Sequence, residues 1–136
     1  MRSPRHYRIT LSDALSAHEK ALSVGGGRPG IPNIGMVESA IARPYSGYYR
    51  SIARKAAALV QSIATNHGFA DGNKRTAVIL LNLLLERSGY GLAFLQEDSD
   101  PDDAIADMVL RVVTRQMTFD ELVEWLAVRI GRSSSR

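Results

Sequence analysis

Nine consecutive residues, His67 to Arg75 (HGFADGNKR), hold most of the side chains in this chain that could do chemistry. They come directly before the apolar stretch Thr76–Arg87, whose pattern predicts a buried helix. The first N–H groups of a helix lack intrahelical partners and carry the positive end of its dipole. Gly72 lets the backbone approach a ligand closely, and Lys74 and Arg75 add positive charge. The segment therefore predicts an anion site suited to phosphates.

Asp71 and His67 add the groups that a transfer reaction needs. Magnesium ions in proteins take one carboxylate together with substrate phosphates and waters, so Asp71 could serve as the metal ligand. Histidine changes charge close to neutral pH, and His67 could accept a proton from an attacking hydroxyl. Together these groups suit transfer of a phosphorus group from a magnesium-nucleotide.

Each of these residues also has a purely structural interpretation. His67 could be an ordinary loop residue, and Asp71 could only cap the following helix. Lys74 and Arg75 could be solvated surface charges. Phe69, alone in a polar loop, is expected to be an apolar anchor. The functional interpretation is favoured because all of them occur together before one buried helix.

A glycine pattern earlier in the chain is a weaker signal. Residues 25–30 fit the spacing G-x-G-x-x-G, but that motif binds dinucleotides only between a buried strand and a helix. Here a predicted helix precedes it and Pro29 lies inside it, so we interpret residues 25–33 as a flexible connection. No G-x-x-x-x-G-K-[ST] phosphate loop occurs here, because Ile31 lies where the lysine is needed.

The elements that must position these residues are helical. The sequence predicts an all-α, single bundle around the central helix Thr76–Arg87, and leaves open one short strand or hairpin near residues 92–95. Capping boxes begin the first and last helices at Thr10 and Thr118. The other predicted helices cover residues 36–42, 52–66 and a segment that begins at Asp100-Pro101.

Composition narrows the class of protein. The 136 residues have no cysteine, 45% hydrophobic content and a net charge of +3, which indicate one soluble globular domain without disulfides. No apolar run is long enough to span a membrane, and no signal peptide is apparent, so cytoplasmic localisation is expected. The arginines near the termini predict solvated, partly frayed tails over residues 1–6 and 129–136. Without a basic, aromatic-rich stripe, direct nucleic-acid binding is not expected.

Residues 67–75 match every defined position of the signature of the Fic/Doc superfamily, H-x-F-x-(D/E)-G-N-(G/K)-R. Lys74, followed by Arg75-Thr76-Ala77, resembles the Doc (death on curing) branch of that superfamily. The resemblance covers about residues 7–128, and implies a single domain with a Fic-like helical fold.

The resemblance implies a toxin of a toxin–antitoxin pair that transfers the γ-phosphate of ATP to a threonine hydroxyl, with elongation factor Tu as the acceptor, and so blocks translation. It implies that His67 is the catalytic base and Asp71 the Mg²⁺ ligand. The phosphate-binding turn would consist of residues 72–75, which are Gly72, Asn73, Lys74 and Arg75. No self-inhibitory motif of the form [ST]-x-x-x-E-[GN] occurs, so a separate antitoxin protein is expected as a partner.

Two alternatives stay open. Relatives with glycine at the position of Lys74 transfer AMP, and Gly72 in this chain resembles that group where Doc has alanine. Transfer of AMP to a protein hydroxyl is therefore the second hypothesis. A catalytically silent binding or regulatory module is the third, and the intact motif argues against it.

Several residues outside the motif have less certain roles. His18 could approach the site, but we expect it to be a buried structural histidine. Four basic residues could attract an acidic partner, although the default expectation is a solvated surface; they are Arg43, Arg50, Arg54 and Lys55.

Overall fold

The computed structural model describes residues 5–133. Six α-helices account for most of this part of the chain. One small antiparallel sheet pairs the strand that follows the fourth helix with the strand that follows the sixth. The elements in chain order are α1 (Leu11–Gly25), α2 (Ile34–Ala42), α3 (Ile52–Thr65), α4 (Asn73–Arg87), β1 (Tyr90–Leu92), α5 (Pro101–Val113), α6 (Phe119–Ala127) and β2 (Ile130–Arg132), with short 3-10 turns at Arg43–Tyr45 and Gln96–Asp98. The predicted mostly helical fold is confirmed.

The helix boundaries follow local sequence chemistry. The capping boxes that the sequence predicts at Thr10 and Thr118 are present, as are the Asp100 cap and Pro101 in the first turn of α5. Helix α2 begins two residues earlier than predicted, because the Asn33 side chain accepts a hydrogen bond from the Met36 N–H and caps it. Helix α4 also begins earlier than predicted, at Asn73 rather than Thr76, with Gly72 as an N-cap residue that has no side chain to cap it.

The core forms where α3 packs along α4. In α4 the side chains of Leu80, Leu81, Leu84 and Leu85 are buried, which confirms the predicted buried helix. Helix α3 is the more enclosed of the two, with ten buried residues among its 14, against six among 15 in α4. The sequence pattern understates the burial of α3 because its alanines carry little side chain, while their small size lets α4 approach closely.

The segment after α6 corrects the expectation of a frayed C-terminal tail. Residues 130–132 form β2, which pairs antiparallel with β1 through Leu92 opposite Ile130. Arg129 is 6% exposed, and its guanidinium donates two hydrogen bonds to the Asp98 carboxylate, at 2.9 and 2.6 Å. This pair ties the end of α6 to the turn before α5 and keeps residues 129–132 in the fold. The rest of the predicted tails, at residues 1–4 and 134–136, lies outside the described residues.

Three of the four basic residues expected at a solvated surface are at least partly buried. Lys55 is 7% exposed, and its Nζ lies 2.8 Å from Nδ1 of His6. Because of this contact, His6 also belongs to the fold rather than to the frayed tail that the sequence predicts. Burial, followed by repulsion from Arg50, lowers the pKa of Lys55. Arg43, in the 3-10 turn after α2, and Arg54, in α3, are half-buried, whereas Arg50 remains exposed. None of the described helices is long and apolar enough to cross a membrane.

Candidate active site

The motif forms the connection between α3 and α4, the two helices at the core. His67 is exposed at the start of this loop, and its backbone has φ 55, a left-handed conformation that histidine adopts more readily than most residues. Its imidazole makes no hydrogen bond within residues 5–133. At Gly68 the backbone turns against α2, where a Cβ would lie 2.5 Å from the side chain of Val37. The loop therefore presents an imidazole that has no hydrogen-bond partner among the described residues, on a backbone that packs closely against α2.

Phe69 anchors the loop, as the sequence predicts. Its ring is 2% exposed and stacks on the imidazole of His18, with centroids 3.9 Å apart and planes 11° apart. The Asn73 side chain accepts a hydrogen bond from the Phe69 N–H and donates one to the Phe69 carbonyl, at 3.2 and 3.0 Å. Nε2 of His18 donates to the Asp71 carbonyl at 2.8 Å. Apolar packing and paired hydrogen bonds thus hold both ends of the loop in one conformation.

Asp71 has a carboxylate held by backbone donors. One oxygen accepts from the Arg28 N–H at 3.1 Å, and the other accepts from the Gly72 N–H at 3.0 Å. These hydrogen bonds, first from Arg28 and then from Gly72, lower the pKa of the Asp71 carboxyl below its ordinary value. Within the described residues, no group of three or more histidines, cysteines and acids could hold a metal. The donor set is therefore one carboxylate, which suits a hard cation that takes its other oxygens from a substrate.

Residues 72–75 begin α4, but their side chains have different surroundings. Gly72 is the N-cap residue with φ 76, a conformation that favours glycine, and its carbonyl accepts from both the N–H and the hydroxyl of Thr76. The Arg75 guanidinium donates to the carbonyls of Ala21 and Gly26 at the end of α1. Lys74 is exposed. The turn therefore offers mainly backbone N–H groups and a helix dipole to an anion.

Three depressions surround the motif. The loop cleft, an open space of about 620 Å³, lies between the motif and the glycine-rich connection, and is lined by Arg28, Gly30, Ile31, Pro32, His67 and Phe69. On its other side, His67 also lines a second cleft of about 530 Å³. Lys74 and Arg75 line a third, apolar groove between α1, α4 and α5 instead. The two basic side chains of the motif, Lys74 and Arg75, therefore face a different part of the surface from His67.

The glycine-rich connection contributes to the site in a way that the sequence did not indicate. It is a loop, as predicted, but Ala70 donates to the carbonyl of Gly30 at 3.0 Å and Asn33 donates to that of Gly68 at 3.3 Å. Together with the bond from Arg28 to Asp71, these contacts fasten the connection to the motif. His18 is buried, as the sequence predicts, and Arg28 is the residue that the sequence did not assign to the site. No local pattern links either residue to residues 67–75, because both lie at least 39 positions before the motif.

A model of the Fic/DOC family matches residues 8–85 of the chain, which include the first four helices up to most of α4 and the whole motif. The chain belongs to the Fic/DOC family. It is also 38% identical over 120 residues to the protein named Toxin Doc of Mycolicibacterium smegmatis, covering 85% of this chain and 87% of that one. The chain therefore belongs to the Doc branch of the family. Membership implies transfer of a group to a protein acceptor.

Proposed function

We propose that this chain transfers the γ-phosphate of ATP to a threonine hydroxyl of a protein, with elongation factor Tu as the acceptor, and thereby blocks translation as the toxin of a toxin–antitoxin pair. The similarity to Toxin Doc of Mycolicibacterium smegmatis supports the toxin role, and that name also supports a separate antitoxin protein as a partner. The observation that carries the chemical proposal is an uncommitted imidazole at His67 in the same rigid loop as the ionised Asp71.

The reaction follows from the chemistry of these groups. The acceptor hydroxyl oxygen bonds to the γ-phosphorus while His67 takes the hydroxyl proton, and the bond from that phosphorus to the bridging oxygen breaks. ADP leaves with the electron pair of that bond. The N–H groups of residues 73–75 have no partner in the preceding turn of helix, so they can bind the transferred phosphoryl group. His67 is exposed, which leaves room for a protein acceptor to reach it.

Magnesium fits the single carboxylate at this site. Each oxygen of Asp71 accepts one backbone hydrogen bond and retains a further lone pair for a cation. When bound there, the ion would neutralise charge on the nucleotide phosphates. Arg28 and Gly72 orient the carboxylate, because the N–H group of each donates to one of its two oxygens.

Transfer of AMP through the same residues is the second candidate. Gly72 favours it: at φ 76 the turn has the conformation that glycine adopts most readily, and the resemblance associates glycine here with AMP transfer. Lys74 argues for phosphate transfer, since the relatives that transfer AMP have glycine at that position.

One experiment separates these functions. The purified protein is incubated with Mg-ATP and elongation factor Tu, and the intact mass of the acceptor is measured. We expect one phosphate increment, located on a threonine. An AMP increment would replace phosphate transfer by the second candidate. No increment with a folded protein that binds ATP would exclude elongation factor Tu, and no ATP binding at all would favour a silent module.

A further inference from the structure

A second cleft adjoins His67 on the side away from the glycine-rich connection. It has a volume of about 530 Å³, and we call it the Arg43 cleft; its polar lining includes Arg43, Gln61, Ser62, His67, Arg115 and Thr118. The residues come from the 3-10 turn after α2, the end of α3 and the loop that follows it, and the junction of α5 with α6. Its size is that of a site for a few side chains rather than for one ion.

Arg43 is held in this cleft by neutral groups. Its Nη1 donates to Gln61 at 2.8 Å and to Ser62 at 2.9 Å, and its Nε donates to the Tyr49 hydroxyl at 2.9 Å. The guanidinium also lies 5.2 Å from the ring centroid of Tyr49 and 5.3 Å from that of Phe119. These contacts fix the orientation of a half-buried cation without neutralising it.

No carboxylate forms an ion pair with Arg43 in the part of the chain that the structure describes. Its Nη2 has no hydrogen-bond partner there either. Two further cations lie nearby: Arg54 is over the same Tyr49 and Phe119 rings, and Arg115 lines the cleft. A partly desolvated, oriented guanidinium without an acidic partner is the donor that a carboxylate ligand requires.

The position of the cleft indicates which reactant carries that carboxylate. His67 lines both clefts, whereas Asp71 is bonded to Arg28, which lines the loop cleft and not the Arg43 cleft. In the proposed function His67 takes the proton of the acceptor hydroxyl, so a segment that fills the cleft beside it is a continuation of the acceptor. The nucleotide phosphates belong with Asp71 and the start of α4.

We infer that the Arg43 cleft is an acceptor subsite that binds an acidic side chain close to the accepting hydroxyl, and that Arg43 and Arg115 select acceptors with a carboxylate at that place. This inference rests on the proposed function for the identity of the acceptor group. The binding itself requires neither nucleotide nor transfer.

The test uses two synthetic peptides with a single threonine, flanked by glutamates in one and by glutamines at the same positions in the other. Their affinities for the full chain are measured by fluorescence anisotropy without nucleotide, and the affinity for ATP is measured separately. Wild-type protein is expected to bind the glutamate peptide about tenfold more tightly, the size of a charge-assisted hydrogen bond. Arg43→Gln should remove most of this preference and leave the affinity for ATP unchanged.

Three further variants are measured in the same assay. Arg115→Gln changes an exposed residue, so it tests the cleft even if Arg43→Gln fails to fold, and a reduction of a few-fold in the preference is expected. Arg43→Lys should retain part of the preference. Arg111→Gln alters an arginine that pairs with Asp107 on α5, outside the cleft, and should change nothing.

Equal binding of the two peptides, or no measurable binding of either, overturns the inference. A preference for the glutamate peptide that survives in both Arg43→Gln and Arg115→Gln also overturns the inference. A loss of ATP affinity with peptide binding unaffected would assign the cleft to the nucleotide. Failure of the proposed function has a different signature, because it is read from the mass of a transfer product and not from peptide binding.

Discussion

The motif loop, residues 67–72, and the closing clamp, which we define as the Asp98–Arg129 pair with strands β1 and β2, both depend on an aspartate. In the clamp the two charged side chains are each 7% exposed and satisfy one another. In the motif loop Asp71 is oriented by backbone N–H groups, and no cation side chain forms an ion pair with it among the described residues. The charges of the clamp are paired without a ligand, whereas Asp71 and His67 in the motif loop have no charged side-chain partner among the described residues.

The two arginines Arg43 and Arg129 differ in the same way. Both lie at least partly buried and both lie over an aromatic ring, at 5.2 Å from Tyr49 and 3.9 Å from Trp125 respectively. Arg129 has its carboxylate partner inside the chain, and Arg43 has none in the described residues. Arg129 therefore stabilises the fold, whereas Arg43 fits the acceptor subsite that we infer.

The largest expected effect is on catalysis at His67. His67→Asn should lower the transfer rate by roughly 10²–10⁴-fold, because the amide cannot act as a base. Asparagine also tolerates the left-handed backbone at φ 55, so the melting temperature should stay close to that of the wild type. The rate of acceptor modification and a thermal melt check both parts. A fully active variant would remove His67 from the role of base.

The anchor of the same loop should contribute to stability instead. Phe69→Ala removes a buried ring that stacks on His18, and should lower the free energy of unfolding by about 3–5 kcal/mol. Urea denaturation measures this loss. Phe119→Ala is a suitable comparison, because Phe119 is only partly buried and should give a smaller loss. An equal or smaller loss at Phe69 would mean that the loop does not depend on its anchor.

Loss of the Asp71 charge should affect metal dependence more than the fold. Asp71→Asn should lower turnover at saturating ATP by about 10–100-fold and raise the Mg²⁺ concentration needed for half-maximal rate. Asp107→Asn, at an exposed position on α5, is the matched control and should behave as wild type. An unchanged Mg²⁺ titration in Asp71→Asn would contradict its assignment as the metal ligand.

The smallest expected effect is a pH dependence in the clamp. Hydrogen bonds from Arg129 lower the pKa of Asp98, so its contribution to stability is fully present above about pH 4 and is lost as the pH falls through that lowered pKa. Asp98→Asn should therefore be less stable than wild type at pH 7, and the difference should shrink in acid. Urea midpoints at pH 7 and pH 3 measure it. A difference that is constant with pH would show that the carboxylate charge does not stabilise the clamp.

Local features of this chain could be predicted from the sequence because their causes are local. The capping boxes at Thr10 and Thr118 and the interruption of the helices at residues 67–72 each depend on residues a few positions apart. The same holds for the motif itself, which is a continuous segment. Burial of Phe69 also followed from its isolation in a polar loop.

The sequence by itself determined the helical class, the order of the helices and the position of the motif between α3 and α4. Only the tertiary structure decided which distant residues complete the site: Arg28 reaches Asp71, and His18 stacks on Phe69. It also decided that Arg129 is buried with Asp98 while Arg43 keeps an open position beside His67. Hydrophobic periodicity and capping act within one element, whereas charge pairing and stacking depend on how elements pack, and no local pattern records that packing.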